Sequence, residues 1–214
     1  MYLVKTPKFI QTLFPNFTWN IPTEDKVIYL TFDDGPIPEV TPWVMDVLEE
    51  YDAKGTFFCV GNNVKKHPEV YQEVIDRGHT VGNHTLSHLN GWANNHLSYL
   101  HDVRHCAHLV NSKLFRPPYG RLKPNQAQFL MRHYDIIMWD VLSGDFDQNL
   151  EPNQCLGNVI LKAGPGSIVV FHDSIKAEKN LKFALPKTLA YFAERGFRFE
   201  AIKESSSSRI KKAS

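Results

Sequence analysis

The sequence predicts a single α/β domain in which strands and helices alternate around a parallel sheet or barrel. Three observations carry that expectation. From residue 26 onward, short β-branched and aromatic runs alternate with longer stretches of helical periodicity. The 214 residues contain no internal repeat and no interior linker rich in Gly, Ser or Pro that would divide them. Unusual polar clusters follow one predicted strand after another, the pattern expected where parallel strands bring their carboxyl ends to one mouth.

Taken in order, the predicted strands span 26–32, 55–60, 79–83, 114–117, 135–141, 166–172 and 197–202, each a short apolar or β-branched run bounded by turn residues. Between them, Val44, Val47 and Leu48 mark one apolar helix face, and Leu100, Val103, Ala107 and Val110 mark another. Gly78 and Gly196 stand where helices over 68–77 and 186–195 should stop. The expected total is seven strands and about six helices. Residues 1–25 are expected to form an extension packed on the domain, residues 26–203 the domain itself, and 204–214, with a run of four serines and several basic residues, a flexible tail.

Composition narrows the function classes. A 43% hydrophobic, 12% aromatic chain of this length can bury a core without a disulfide or structural metal. Lys plus Arg exceed Asp plus Glu by only 24 − 23 = 1, so no broad field invites a nucleic acid or an anionic membrane. Cys59, Cys106 and Cys155 form no CxxC pair and read as buried small hydrophobes. Pro7 and Pro15 interrupt the apolar start, so no signal peptide is legible, and no run approaches the roughly 20 apolar residues of a membrane span. With three unpaired cysteines this favours a cytoplasmic location. Oligomeric state leaves no mark in the sequence.

The chemistry collects after the strands. In TFDDGP (31–36), Asp33 and Asp34 leave a buried strand side by side, and two adjacent carboxylates call for a cation, although the same residues also suit an aspartate turn. His84 and His88 in NHTLSH are four apart, so on a helical turn both imidazoles face one way. Alone, such a pair is a common coincidence; with Asp34 it makes two His and one carboxylate with an open position, the ligand set of catalytic zinc. In RPPYG (116–120), Arg116 precedes a stiff turn, which suits a preorganised donor or an ordinary surface ion pair. Asp145 follows the fifth strand, and His172 closes the apolar run IVVF as either a proton donor or a satisfied core histidine. A competing group, His101, His105 and His108, lies mid-helix at spacings of four and three, away from the strand ends.

These motifs, in this order over residues 26–202, resemble the polysaccharide deacetylase family, the family-4 carbohydrate esterases or NodB-homology domains. The resemblance implies a distorted (β/α)7 barrel holding one divalent ion, Zn2+ or alternatively Co2+ or Ni2+, that hydrolyses N-acetyl groups on a peptidoglycan or chitin-type glycan. It implies Asp34, His84 and His88 as metal ligands, Asp33 as the base acting on a metal-activated water, and His172 as the acid that protonates the leaving amine. Arg116 would hold Asp33, Asp145 would orient and tune His172, and the Tyr119 N–H would bind the oxyanion. Pro117, Tyr119, Phe146 and Val170 would face the substrate.

Three positions depart from the family pattern. Phe146 replaces a common tryptophan, Leu142 a residue often polar, and Val170 a leucine of the acetyl pocket. The lost methylene is worth about 1 kcal/mol in discrimination. Two other readings stand beside this one: a glycan-binding module without catalysis, and a related metal hydrolase acting on a non-glycan amide or an O-acetyl ester.

Overall fold

The computed structural model describes residues 2–204. Its strands are β1 (Val27–Asp33), β2 (Thr56–Cys59), β3 (Thr80–Asn83), β4 (Leu114–Phe115), β5 (Asp135–Ile136), β6 (Val141–Leu142), β7 (Ile168–His172) and β8 (Arg198–Phe199). Its helices are α1 (Lys8–Leu13), α2 (Thr41–Glu49), α3 (Gly61–Lys66), α4 (Pro68–Asp76), α5 (His96–Ala107), α6 (Pro124–Leu130), α7 (Pro152–Ile160) and α8 (Glu178–Ala193). All strand pairs are parallel, in the order β5-β4-β3-β2-β1-β7-β6, with β8 beside the start of β1.

The edge strands of this order are neighbours in sequence. Residues 137–140 alone join β5 to β6, and four extended residues reach at most about 3.5 Å each. The sheet must therefore curl until its edges nearly meet, which makes a distorted barrel. The N-terminal segment covers the seam: Lys5 bridges Val141, Thr18 bridges Ile137 and Asn20 bridges Ser167. Thr6 N donates to Asp140 O, Met138 N to Thr18 O and Leu142 N to Val4 O, so backbone groups that an open edge would leave bare are paired.

Strand alternation decides what faces the barrel interior. On β1, Ile28, Leu30 and Phe32 join Phe57 and Phe171 under the helices. Tyr29 packs on the other side with Phe58, Leu114 and Ile168. Thr31 and Asp33 share Tyr29's face and lead up to the carboxyl end. Parallel register then sets Asp33 beside both His172 and Phe58.

The structure corrects the predicted elements in three places. The expected strand 135–141 is two strands, because the chain between them crosses from one sheet edge to the other: Ile137 N still donates to Phe115 O of β4, Met138 N to Thr18 O, and Asp140 N already to Ile168 O of β7. That split raises the strands among the described residues to eight, and the helices are eight rather than six. The helix expected over 186–195 begins at Glu178 and contains Pro186. A proline inside a helix costs about 3 kcal/mol, and the burial of Leu181, Ala184, Leu185, Leu189 and Phe192 offsets it. The tail expected over 204–214 lies outside the described residues except for Glu204, which accepts hydrogen bonds from Ser112 Oγ and Lys113 N. Among the described residues no helix is long and apolar enough to cross a membrane. The three cysteines are buried and free.

Candidate metal centre and catalytic cleft

Asp34, His84 and His88 come together at the mouth of the barrel, with one ligand atom from each lying within 4.8 Å of the others. Asp34 follows β1 in the left-handed region, φ 84°. Its Oδ1 is 3.1 Å from His88 Nε2 and 3.8 Å from His84 Nε2. That oxygen is buried and makes no well-aligned hydrogen bond. His84 is fully buried, and its Nδ1 lies 2.8 Å from the Arg116 carbonyl. A carbonyl only accepts, so Nδ1 carries the proton and Nε2 keeps its lone pair toward Asp34.

Charge states agree with that tautomer. Burial holds the His84 imidazole down at about 4, against the pull of Asp33 and Asp34, so it is neutral. Burial pushes the Asp34 carboxyl up, but its contact with His88 and the charges of His172, His84 and His88 outweigh this and hold it well below the usual carboxylate range. An ionised carboxylate with an orphaned oxygen, facing two imidazoles, fits a divalent transition ion such as zinc.

Among the described residues, five non-glycine residues have positive φ, and four of them, Asp34, Thr85, His88 and Tyr119, line this mouth. Such conformations cost roughly 1–3 kcal/mol each and persist only where neighbours over-determine them. For the β-branched Thr85 the neighbours are visible. Its N donates to Asn83 Oδ1, its carbonyl accepts from Gly61 N, and its Oγ1 accepts from Leu89 N. The turn from β3 to His88 is thus fixed before any ligand arrives.

Asp33 and Arg116 form a buried ion pair, Nη1 to Oδ1 at 2.7 Å, with both side chains nearly inaccessible. Every arm of the guanidinium is used. It donates to Thr31 Oγ1, to the Ile137 and Met138 carbonyls and to Asp33, and it stacks 4.1 Å above the Phe58 ring. Burial lowers the Arg116 pKa from its ordinary value, and the Asp33 carboxylate opposes this.

His172 sits across from this pair. Its Nδ1 is 2.8 Å from Asp145 Oδ1, while its backbone N donates to Oδ2 of the same carboxylate at 2.7 Å. Nδ1–H is therefore committed, and Nε2 is the nitrogen free to exchange a proton. Burial alone would lower the imidazole pKa; Asp145, with Asp34 and Asp33, reverses that and raises it to about 9. The Phe146 ring meets the His172 ring edge-on at 5.1 Å.

Tyr119 is 60% exposed, in a tight turn (Pro118–Gly120), with its ring 4.7 Å from that of His88. Pro117 is buried at the start of that turn. Val170 is buried two residues before His172, in register with Thr31 and Leu142.

The histidines expected to compete lie exposed outside this constellation, His101 and His105 on α5 and His108 just past its end. Two residues escaped the sequence reading. Asp173 is buried, accepting from Gly35 N and from Thr41 Oγ1, and so braces the loop that carries Asp34. A Cβ on Gly35 would overlap its carboxylate. The signal was legible, an aspartate directly after a buried apolar run. Asp102 on α5 accepts from Leu86 N, Ser87 N and Ser87 Oγ, next to His88. In sequence it resembles any solvated helix carboxylate.

The sequence profile described as polysaccharide deacetylase matches residues 20–134, which include Asp33, Asp34, His84, His88, Arg116 and Tyr119. The chain is 32% identical over 196 residues to a peptidoglycan-N-acetylglucosamine deacetylase of Bacillus cereus, covering 87% of this chain and 91% of that one. It is 31% identical to a chitooligosaccharide deacetylase of Rhizobium leguminosarum, covering 71% and 73%. Among solved structures, a peptidoglycan N-acetylglucosamine deacetylase in complex with 4-naphthalen-1-yl-N-oxidanyl-benzamide superposes with a TM-score of 0.83 at 29% identity, covering 91% of this chain and 94% of that one.

Proposed function

Because the chain belongs to the polysaccharide deacetylase family, we propose that it hydrolyses N-acetyl groups of an N-acetylglucosamine-containing glycan with the help of a divalent ion held by Asp34, His84 and His88. One observation carries the reading. A three-residue ligand set, with His84 buried and Asp34 and His88 partly so, stands at the same barrel mouth as two hydrogen-bonded ion pairs, Asp33 with Arg116 and Asp145 with His172. The peptidoglycan and chitooligosaccharide named for the relatives supply the substrate class.

A divalent ion bound there would supply Lewis acidity to the acetyl carbonyl and to a water. The chain's own groups do the rest. Asp33, held by Arg116, takes the proton of the attacking water. The Tyr119 N–H, presented by a turn already fixed in the left-handed conformation, donates to the oxygen on which negative charge develops. His172 gives its Nε2 proton to the sugar nitrogen as the C–N bond breaks, releasing acetate and a free amine. Phe146 limits water beside that imidazole. Two exposed aromatics, Tyr119 and Trp92, offer surfaces on which sugar rings can stack.

The test is a mass-spectrometric screen of the zinc-loaded protein against N-acetylated chitooligosaccharides, peptidoglycan fragments and O-acetylated xylan. Acetate loss from the amino sugars is expected. Turnover of O-acetyl esters with none of N-acetyl groups would reject the amide assignment.

A further inference from the structure

Helix α5 carries two adjacent imidazoles that the catalytic cleft leaves unused, and we propose that His101 and His105 form a second, surface site for a borderline divalent transition ion. The two side chains are exposed, one helical turn apart, with Nε2 3.1 Å from Nε2 and ring centroids 4.1 Å apart. Two imidazole nitrogens bound to one ion at about 2.0–2.1 Å are about 2.9 Å apart at a right-angled coordination angle and about 3.3 Å apart at a tetrahedral one. The observed separation falls between those limits. The folded helix therefore already holds both donors at chelating distance, and little side-chain freedom is lost on binding.

His108 does not join them. Its ring meets that of His105 edge-on at 6.3 Å, and among the described residues the group of three converging donors is Asp34, His84 and His88. The surface site thus offers two nitrogens and leaves the other positions to water or an outside ligand. Such a site prefers Cu2+, Ni2+ or Zn2+ to Mg2+ or Ca2+, which seek oxygen. Asp102, within the same turn, reaches to Leu86 N and Ser87. An ion on the pair would staple the turn that holds the segment leading to His88.

The competing account of the same geometry is a hydrogen bond between two neutral imidazoles. Copper separates them. Equilibrium dialysis of the full chain with Cu2+ should show one more bound equivalent in the wild type than in the double variant His101→Ala/His105→Ala. His105→Gln should lose the same equivalent and keep its acetate release. Electron paramagnetic resonance of Asp34→Ala/His88→Ala, which removes two of the three cleft ligands, should show copper with two nitrogen ligands. Equal copper uptake by the wild type and the His101→Ala/His105→Ala variant overturns the site and leaves the hydrogen bond as the explanation. The readout is a difference of one equivalent, so it holds whatever the cleft binds.

Discussion

Arg116 is a fully buried cation whose one charged partner is Asp33, with the Thr31 hydroxyl and two carbonyls completing its hydrogen bonds. Replacing it with methionine strands the Asp33 charge in the barrel interior, so Arg116→Met should lose about 3–5 kcal/mol in denaturant unfolding. His172 makes a pH prediction. The proposed general acid must be protonated, and the His172 imidazole, raised to about 9 by Asp145 against the opposing effect of burial, is protonated at neutral pH. Activity should fall as pH rises through that value, at a lower pH once a cation replaces the attraction of Asp34. In Asp145→Asn burial prevails and the alkaline limb of the kcat profile should move to lower pH. Linkage gives the same group a stability signature in metal-free protein. Its folded pKa lies above the unfolded value of about 6.5, so its contribution is complete below 6.5 and lost as pH rises through about 9. Individual residue types were legible because carboxylates and imidazoles at strand ends have few bland explanations when several coincide. Arg116's contacts with carbonyls 137 and 138 were not, since backbone acceptors carry no residue type.

At the scale of elements, two carboxylates hold the ligand-bearing loops. Burial first, with the nearby Asp34 charge adding, raises the Asp173 carboxyl to about 8. It is therefore neutral near pH 7, and an amide can replace it. Asp173→Asn should stay within about 1 kcal/mol of wild-type stability, because its oxygen still accepts from Gly35 N and its NH2 donates to the Thr41 hydroxyl. Asp173→Ala should release the loop carrying Asp34 and weaken zinc affinity. For Asp102→Ala the expected loss of zinc affinity is about 10–100-fold with little change in melting temperature, measured by competition with a zinc indicator. Strands β1, β2, β3 and β7 were readable from alternation and β-branched runs, whereas β5 and β6 were fused in the reading. Apolar residues fill 136–139 and resume at Val141 after Asp140, and the need to cross from one edge to the other divides the stretch. The start of α8 was likewise hidden, because Pro186 reads as a first-turn residue until tertiary burial carries the helix through it.

In the whole molecule, residues 2–25 complete a barrel that the strands alone leave open. Lys5 also pairs with the buried Asp140 at 2.6 Å. Deleting residues 2–25 should bare the backbone of residues 136–142, lower the melting temperature and promote aggregation, seen by thermal scanning with light scattering. The α/β class, a parallel sheet or barrel, was legible from the alternation of elements, and the distorted barrel from the family resemblance; its sealing was not, because single bridges leave no periodic pattern. The barrel brings residues from 33 to 172 to one mouth, and the account stands or falls on what they do together. The most direct measurement is zinc content and acetate release determined on the same samples of wild type, Asp33→Asn and His84→Ala. The account predicts that Asp33→Asn keeps its zinc but loses turnover by about 10²–10⁴-fold, that His84→Ala loses zinc and turnover together, and that a chelator silences the wild type until zinc is restored. Turnover of wild-type size in both variants, or in chelated protein, would contradict it.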